Sequence, residues 1–190
     1  MNRKKKQKPR RSIRLQSYDY SSPGEYFVTI CIQDRRPLFG DVVDGEMRLN
    51  RLGRIAWERW YQIPDRFKNV TLDVFVVMPN HVHGIIGIES NPVAAIHELQ
   101  QRGANPENRD DLKFNSEEYR KRRRQMLLPK IIGWYKMNVS KQANIIIKKT
   151  GNRFWQRNYY EHIIRDDQAL NRIRNYIIHN PSKWERDRNN

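Results

Sequence analysis

Short runs of apolar residues, several of them alternating with polar ones, predict the strands of a sheet. Residues 25–33 (EYFVTICIQ) follow Pro23-Gly24 and are rich in aromatic and β-branched side chains, which is typical of a buried strand. Two further apolar runs, 72–78 and 81–88, are separated by Pro79-Asn80, the composition of a tight turn between antiparallel strands. They predict a hairpin at the centre of the sheet.

Weaker sequence signals predict a second hairpin and one further strand. The turn-rich stretch 34–53 predicts a short hairpin that pairs Val42-Val43 with 47–49. Residues 153–156 (RFWQ) predict one further strand that completes a four-stranded sheet.

Apolar residues at helical spacing predict three helices, at 54–61, 126–147 and 168–180. The third follows Asp166-Asp167 and ends before Pro181, and Leu170, Ile173 and Ile177 form its apolar stripe. Strands combined with helices in this order predict one α+β domain.

Composition supports a folded domain that binds a polyanion. The chain has 190 residues and carries 37 Lys and Arg against 21 Asp and Glu, a formal net charge of +16. Such an excess favours nucleic acid as a partner. Hydrophobic residues make up 37% and aromatic residues 11% of the chain, too much for a disordered polycation.

The N-terminal segment, residues 1–17, is predicted to be a basic flexible arm. Residues 1–14 contain eight Lys or Arg and no acid, so we expect the arm to be mobile until Arg10, Arg11 and Arg14 meet DNA phosphates. A solubilising tail or a targeting signal is the alternative.

Residues 18–190 are predicted to form a single domain with a long polar connection at 90–125. A single cysteine, Cys31, excludes an intrachain disulfide, which favours the reducing cytoplasm. No apolar stretch approaches the roughly 20 residues that span a bilayer. We therefore expect no membrane partner and a cytoplasmic, nucleoid-associated protein.

His81 and His83 are the first candidate site residues. Side chains two apart on a strand point to the same face, so both imidazoles project together. Buried imidazoles need polar partners, and a divalent cation such as Mn²⁺ or Mg²⁺ is one solution. Two structural histidines, each hydrogen-bonded within the protein, are the other.

Tyr176 and Asn180 are one helical turn apart. A phenol can attack a phosphodiester when a cation neutralises the phosphate oxygens, and the amide oxygen of Asn180 can help to bind that cation. A packing tyrosine and a capping asparagine are the alternative. Tyr159 and Tyr160 compete as nucleophiles, but neither has an amide four residues later.

Three motifs together resemble the REP-associated tyrosine transposases, within the HUH superfamily of single-strand DNA transposases. They are VVMPNHVHGII, WQRNYYEHIIR and RNYIIHNPSKW, in that order, within a similarity that runs from Tyr18 to Trp184. Each motif alone is weakly specific, and their order and spacing carry the resemblance.

The resemblance implies a ferredoxin-like (RRM-like) antiparallel sheet with helices packed on one face. It implies that His81, His83 and Asn180 bind Mg²⁺ or Mn²⁺, and that Tyr176 is the catalytic nucleophile. Such an enzyme is an endonuclease that joins its tyrosine to a 5′ phosphate in single-stranded DNA and frees a 3′ hydroxyl. DNA transposition and recombination by this chemistry require no nucleotide cofactor.

The resemblance also implies a DNA hairpin with adjacent single strand as the partner. Within WQRNYYEHIIR we expect DNA contacts from Gln156, Arg157 and Arg165. Relatives include monomers and homodimers, so both remain open here. A non-catalytic nucleic-acid-binding module of RRM shape is the main alternative function, and a rolling-circle initiator or relaxase is a further one.

Overall fold

A four-stranded antiparallel sheet runs through the computed structural model, which describes residues 18–90, 121, 124–148 and 153–186. Its strands are β1 (Gly24–Cys31), β4 (Val70–Val77), β5 (His81–Ile88) and β6 (Tyr160–Ile164), in the spatial order β4-β5-β1-β6. A separate hairpin consists of β2 (Gly40–Val43) and β3 (Glu46–Leu49). Both predicted hairpins are confirmed, but the predicted central position of the β4–β5 hairpin is corrected: β5 is central and β4 is an edge strand.

Helices and two 3₁₀ turns accompany the strands in the described part of the chain. They are α1 (Arg51–Tyr61), α2 (Ile63–Arg66), α3 (Leu127–Ile147) and α4 (Asp167–Ile178), with the 3₁₀ turns at Gln33–Arg35 and Pro181–Arg186. Lys121, Arg124 and Gln125 are also helical, ahead of α3. The order β1-α1-β4-β5-α3-β6 is the split βαβ arrangement of the ferredoxin-like fold, so the predicted fold class is confirmed. A bilayer crossing needs a longer and more apolar helix than any found in the described ranges.

The helices cover both faces of the sheet. Helices α1 and α3 pack on one face, as predicted, through residues such as Trp60 and Tyr135. Helix α4 lies on the opposite face, where its Leu170 and Ile177 contact Phe27 and Ile85. The prediction that all helices pack on one face is therefore corrected. Alternate residues of β1 and β5 give the sheet a second apolar face, and α4 covers it.

The fourth strand is β6 and not residues 153–156, which corrects that prediction. Trp155 forms only an isolated bridge with Ile32. Phe154 and Trp155 are adjacent in sequence and both 4% exposed, so they do not alternate between an inner and an outer face. Residues 153–156 therefore pair only briefly with the end of β1. The strand that pairs along β1 begins at Tyr160.

Side-chain caps begin two of the helices. Asn50 Oδ1 accepts from the backbone nitrogens of Leu52 and Gly53 at the start of α1. Asp166 accepts from the nitrogen of Ala169 at 2.7 Å, which confirms the predicted start of α4. Each cap satisfies backbone donors that have no partner within the helix.

Gly84 gives the first testable prediction, because a Cβ atom there would overlap the indole of Trp60. Trp60 is fully buried and stacked on Phe75 at 4.3 Å, so it cannot move aside. We expect Gly84→Ala to lower the free energy of unfolding by about 1–3 kcal/mol through overpacking, measured by urea denaturation.

Gly133→Ala is the matched control, since a Cβ atom at this helical position meets no atom within 4 Å. It should raise the free energy of unfolding by about 0.5–1 kcal/mol through helix propensity. Equal effects of the two substitutions would contradict the packing argument.

Candidate active site

The two histidines of β5 lie side by side on the face that carries α4. His81 is 0% and His83 1% exposed, and their Nε2 atoms are 2.9 Å apart. Their shared face follows from the strand alternation, as the sequence predicts. Polar rings this deeply buried must be hydrogen-bonded or must bind an ion.

Each imidazole has a polar partner on its Nδ1 atom. His81 Nδ1 lies 2.7 Å from Asn80 Oδ1, and the Asn80 Nδ2 group donates to the carbonyl oxygen of Arg35 at 3.2 Å. His83 Nδ1 lies 2.8 Å from Thr29 Oγ1, because Thr29 is directly opposite His83 in the β1–β5 register. Sequence reasoning missed both partners: Asn80 was predicted only as a turn residue, and strand register cannot be deduced from one strand.

Helix α4 brings Tyr176 to the histidine pair. The Tyr176 hydroxyl is 3.2 Å from His83 Nε2, and its ring lies edge-on to Phe27 at 6.0 Å. The side chain remains 42% exposed, so solvent and a ligand can reach it. A buried nitrogen pair next to an accessible phenol is the arrangement that the sequence predicts.

The competing tyrosines lie elsewhere. Tyr159 packs with the core below α1 and α3, on the far side of the sheet from the histidines. Tyr160 lies on the site face, next to Thr29 in the β1–β6 register, and its ring contacts Phe27 at 6.1 Å. Tyr176, by contrast, contacts His83 of the pair through its hydroxyl.

Asn180 lies two residues beyond the end of α4, which corrects the predicted extent of that helix. It is 2% exposed, and its backbone nitrogen donates to the Ile177 carbonyl at 3.2 Å in the closing turn. Four residues later, the ring of Trp184 lies over His81 with centroids 6.0 Å apart. Asn180 therefore belongs to the segment that runs from Tyr176 beside His83 to Trp184 over His81.

An ion pair and an apolar cluster hold α4 on the sheet. Arg174 donates through Nε to Asp73 Oδ2 at 2.7 Å, and this hydrogen bond raises the pKa of Arg174. Asp73 lies where the β4–β5 register shifts, between Leu72 and Phe75. The extra residue at this bulge turns the carboxylate of Asp73 towards the helix.

The candidate DNA-binding residues divide into two groups. Arg10, Arg11 and Arg14 lie outside the described residues, as does most of the connection at 90–125. Arg157 and Arg165 are exposed, and Gln156 is partly buried. These three remain predicted contacts.

A basic groove lies beside Gln156. Its volume is about 300 Å³, and Arg153, Arg157 and Lys136 contribute to its lining. Lys136 Nζ donates to the carbonyl oxygen of Gln156 at 2.6 Å, and the Gln156 nitrogen donates to the carbonyl of Cys31 at 2.9 Å. Cys31 pairs with His81, but Lys136, Met137 and Ser140 of α3 also line the groove, and α3 packs on the face of the sheet opposite the histidine pair.

The donor set fits a divalent cation. Two nitrogen ligands at about 2.1 Å and at right angles around one ion are about 3.0 Å apart, close to the observed 2.9 Å between the two Nε2 atoms. No cluster of three His, Cys, Asp and Glu side chains suited to a metal occurs in the described ranges.

Comparison with known proteins gives relatives along most of the chain. An uncharacterized protein of Haemophilus influenzae is 38% identical over 180 residues, which cover 94% of this chain and 91% of that protein. A second protein of that organism, provisionally assigned as a REP-associated tyrosine transposase, is 26% identical over 87% of this chain and 74% of its own length. No protein-family model matches the chain.

Two solved structures are also similar. One is a REP-associated tyrosine transposase bound to a REP hairpin, with 19% identity, a TM-score of 0.49, and coverage of 91% of this chain and 74% of that one. The other is a provisionally assigned transposase from Deinococcus radiodurans R1, with 17% identity, a TM-score of 0.41, and coverage of 88% and 96%.

The sequence relatives thus make the chain similar to a REP-associated tyrosine transposase, and the structure places a histidine pair on a central strand beside a tyrosine of the adjoining helix.

The anchoring of α4 gives the second prediction. Ile177 is fully buried between the helix and the sheet, so Ile177→Ala should lower the free energy of unfolding by about 2–5 kcal/mol. Arg174→Gln should cost much less than Ile177→Ala, because the side chains of Arg174 and Asp73 are 38% and 25% exposed and solvent weakens their attraction. Urea denaturation measures both values. A larger loss in Arg174→Gln than in Ile177→Ala would show that charge, not apolar burial, holds the helix.

Proposed function

We propose that this protein is a metal-dependent endonuclease and strand transferase that acts on single-stranded DNA next to a hairpin through a 5′-phosphotyrosine intermediate. The observation that carries the proposal is the 3.2 Å contact between the Tyr176 hydroxyl and His83, whose Nε2 lies 2.9 Å from that of His81. Similarity to a REP-associated tyrosine transposase supports DNA as the substrate and repeat mobilisation or transposition as the outcome.

His81 and His83 would bind Mg²⁺ or Mn²⁺ through their Nε2 atoms, with Asn180 as the third protein ligand. A bound divalent cation neutralises the oxygens of the scissile phosphate and so favours attack by an anionic nucleophile. The protein contributes the fixed positions of its ligands. Thr29 and Asn80 hold the two rings from their Nδ1 sides, as partners of metal-binding histidines usually do.

Tyr176 would act as the nucleophile in a balanced transesterification. A bond forms between the phenolic oxygen and phosphorus, and the bond from phosphorus to the 3′ oxygen of the preceding nucleotide breaks. The phenolic proton passes to solvent, to which the side chain is open, and the departing 3′ oxygen gains a proton. In strand transfer a different 3′ hydroxyl attacks the phosphotyrosine, and the tyrosine is regenerated.

Basic side chains would bind the DNA backbone on either side of the reacting bond. Arg157, which is exposed and lines the basic groove, would contact phosphates of the DNA, with Gln156 and Arg165 as further contacts. Arg10, Arg11 and Arg14 of the N-terminal arm would follow the phosphates of the hairpin stem. These contacts give affinity without sequence readout and would keep the protein with the nucleoid in the cytoplasm.

The third prediction concerns the covalent intermediate. Incubation of the full chain with a 3′-labelled single-stranded hairpin oligonucleotide and Mn²⁺ or Mg²⁺ should transfer the label to the protein on a denaturing gel. Tyr176→Phe should abolish this adduct, because the attacking oxygen is lost. The label must be on the 3′ side, since the tyrosine keeps the 5′ phosphate of the downstream fragment.

Tyr160→Phe is the matched control, because it removes a hydroxyl from the same sheet face and should leave the adduct intact. Chelation with EDTA should prevent the adduct. Adduct formation by Tyr176→Phe would reject this nucleophile. Hairpin binding by the wild-type chain without any adduct would support the non-catalytic RRM-like module instead.

The fourth prediction concerns the groove. If about six phosphates of a single strand are neutralised, the slope of log K against log salt is about −4. Arg157→Ala should make this slope shallower by about 0.7, the contribution of one phosphate contact, as measured by fluorescence anisotropy at several salt concentrations.

Arg66→Ala is the control for charge alone. Arg66 is exposed on α2, which packs beside β4 at the opposite edge of the sheet from the groove. The slope of log K against log salt for Arg66→Ala should equal that of the wild type. An identical slope for Arg157→Ala would remove Arg157 from the DNA contacts.

A further inference from the structure

The side-chain amide of Asn80 has only one orientation that satisfies both of its neighbours. Asn80 is 3% exposed, and one end of its amide faces the carbonyl oxygen of Arg35 at 3.2 Å. A carbonyl oxygen only accepts hydrogen bonds, so the amide must present its NH₂ group there. The amide oxygen therefore faces His81 Nδ1, at 2.7 Å.

This orientation determines which nitrogen of His81 carries hydrogen. An amide oxygen only accepts, so the contact with Asn80 Oδ1 is a hydrogen bond only when His81 Nδ1 bears the proton. In the neutral ring, the Nε2 atom of His81 then keeps its lone pair. That atom is the one directed at His83.

His83 differs from His81 in this respect. Its Nδ1 atom faces the hydroxyl of Thr29 at 2.8 Å, and a hydroxyl can donate or accept by rotation. Thr29 therefore holds the position of the ring without selecting a tautomer. The Nε2 lone pair of His81, 2.9 Å away, favours hydrogen on His83 Nε2 when no cation is bound, and the Thr29 hydroxyl can donate or accept as that hydrogen changes.

The backbone that supplies the Arg35 carbonyl is itself in a costly conformation. Asp34 and Arg35 have φ angles of 58° and 51°, in the left-handed region that non-glycine residues rarely occupy. Such conformations persist only where surrounding contacts enforce them. The hydrogen bond from buried Asn80 is one of these contacts.

We propose that Asn80 is a positioning residue that, held by the Arg35 carbonyl, fixes His81 in its Nδ1–H tautomer and leaves Nε2 ready to bind a divalent cation. The inference rests on the proposed function only for the identity of that ligand. Asn80 does not touch the cation or the substrate, and it acts through His81.

The tautomer can be measured directly in the wild-type chain. Long-range ¹H–¹⁵N correlation spectra of protein labelled with ¹⁵N-histidine, recorded in EDTA, distinguish a protonated from an unprotonated ring nitrogen, and His81→Gln assigns the signal. We expect His81 to show hydrogen on Nδ1 and none on Nε2. Hydrogen on Nε2 of neutral His81 in the wild type would overturn the proposal without any variant.

Two substitutions test the role of the amide. Asn80→Leu removes the acceptor and should lower the population of the Nδ1–H tautomer, while Asn80→Asp loses the donor to the Arg35 carbonyl but keeps an acceptor beside His81 Nδ1 and should preserve the tautomer. Affinity for Mn²⁺, measured by calorimetry, should fall about 10–100-fold in Asn80→Leu and recover in Asn80→Asp. An unchanged His81 tautomer in folded Asn80→Leu would also overturn the proposal.

Asn138→Leu is the matched control, because Asn138 likewise donates to a backbone carbonyl, that of Trp134, but on α3. It should change neither the tautomer nor the affinity. The outcomes separate this inference from the proposed function. The expected tautomer without a DNA adduct would contradict only the proposed function. A DNA adduct with His81 in the other tautomer would contradict only the inference about Asn80.

Discussion

The pairing of β5 between β1 and β4 is the constraint on which the site depends. This register puts Thr29 and Val76 on either side of His83, and strand alternation sends His81 and His83 to one face while Val82 and Gly84 face the core under α1 and α3. A shift of one residue would bury the imidazoles among apolar side chains of that core. Gly84 contributes to the same constraint, since the indole of Trp60 occupies the space where a side chain would lie.

Much of this arrangement is predictable because its signals are local. Alternation alone indicates that His81 and His83 share a face, the Pro79-Asn80 turn indicates the hairpin, and helical periodicity indicates the stripe that docks α4. Ferredoxin-like topology and the role of Tyr176 came from a resemblance of motifs. The proximity of Tyr176 to His83 follows from these predictions together, and the structure agrees with it.

What sequence reasoning missed depends on contacts between distant segments. No pattern within β1 indicates that Thr29 will face His83, and no pattern within α4 indicates that Arg174 will meet Asp73. The fourth strand was misplaced because Phe154 and Trp155 have the composition of a strand, yet both are buried in the same core. Composition reports the preference of a residue for burial, whereas register and packing are decided by the rest of the chain.

The bulge at Asp73 also affects how the sheet meets other molecules. β4 is an edge strand of eight residues, and a long regular edge offers unpaired backbone groups to any extended peptide. The register shift between Leu72 and Phe75 interrupts that row, and Arg174 covers Asp73 with a charged side chain. β6, at the opposite edge, is only five residues long. Both edges of the sheet are therefore poor templates for intermolecular strand addition, which protects the protein from aggregation when it is concentrated.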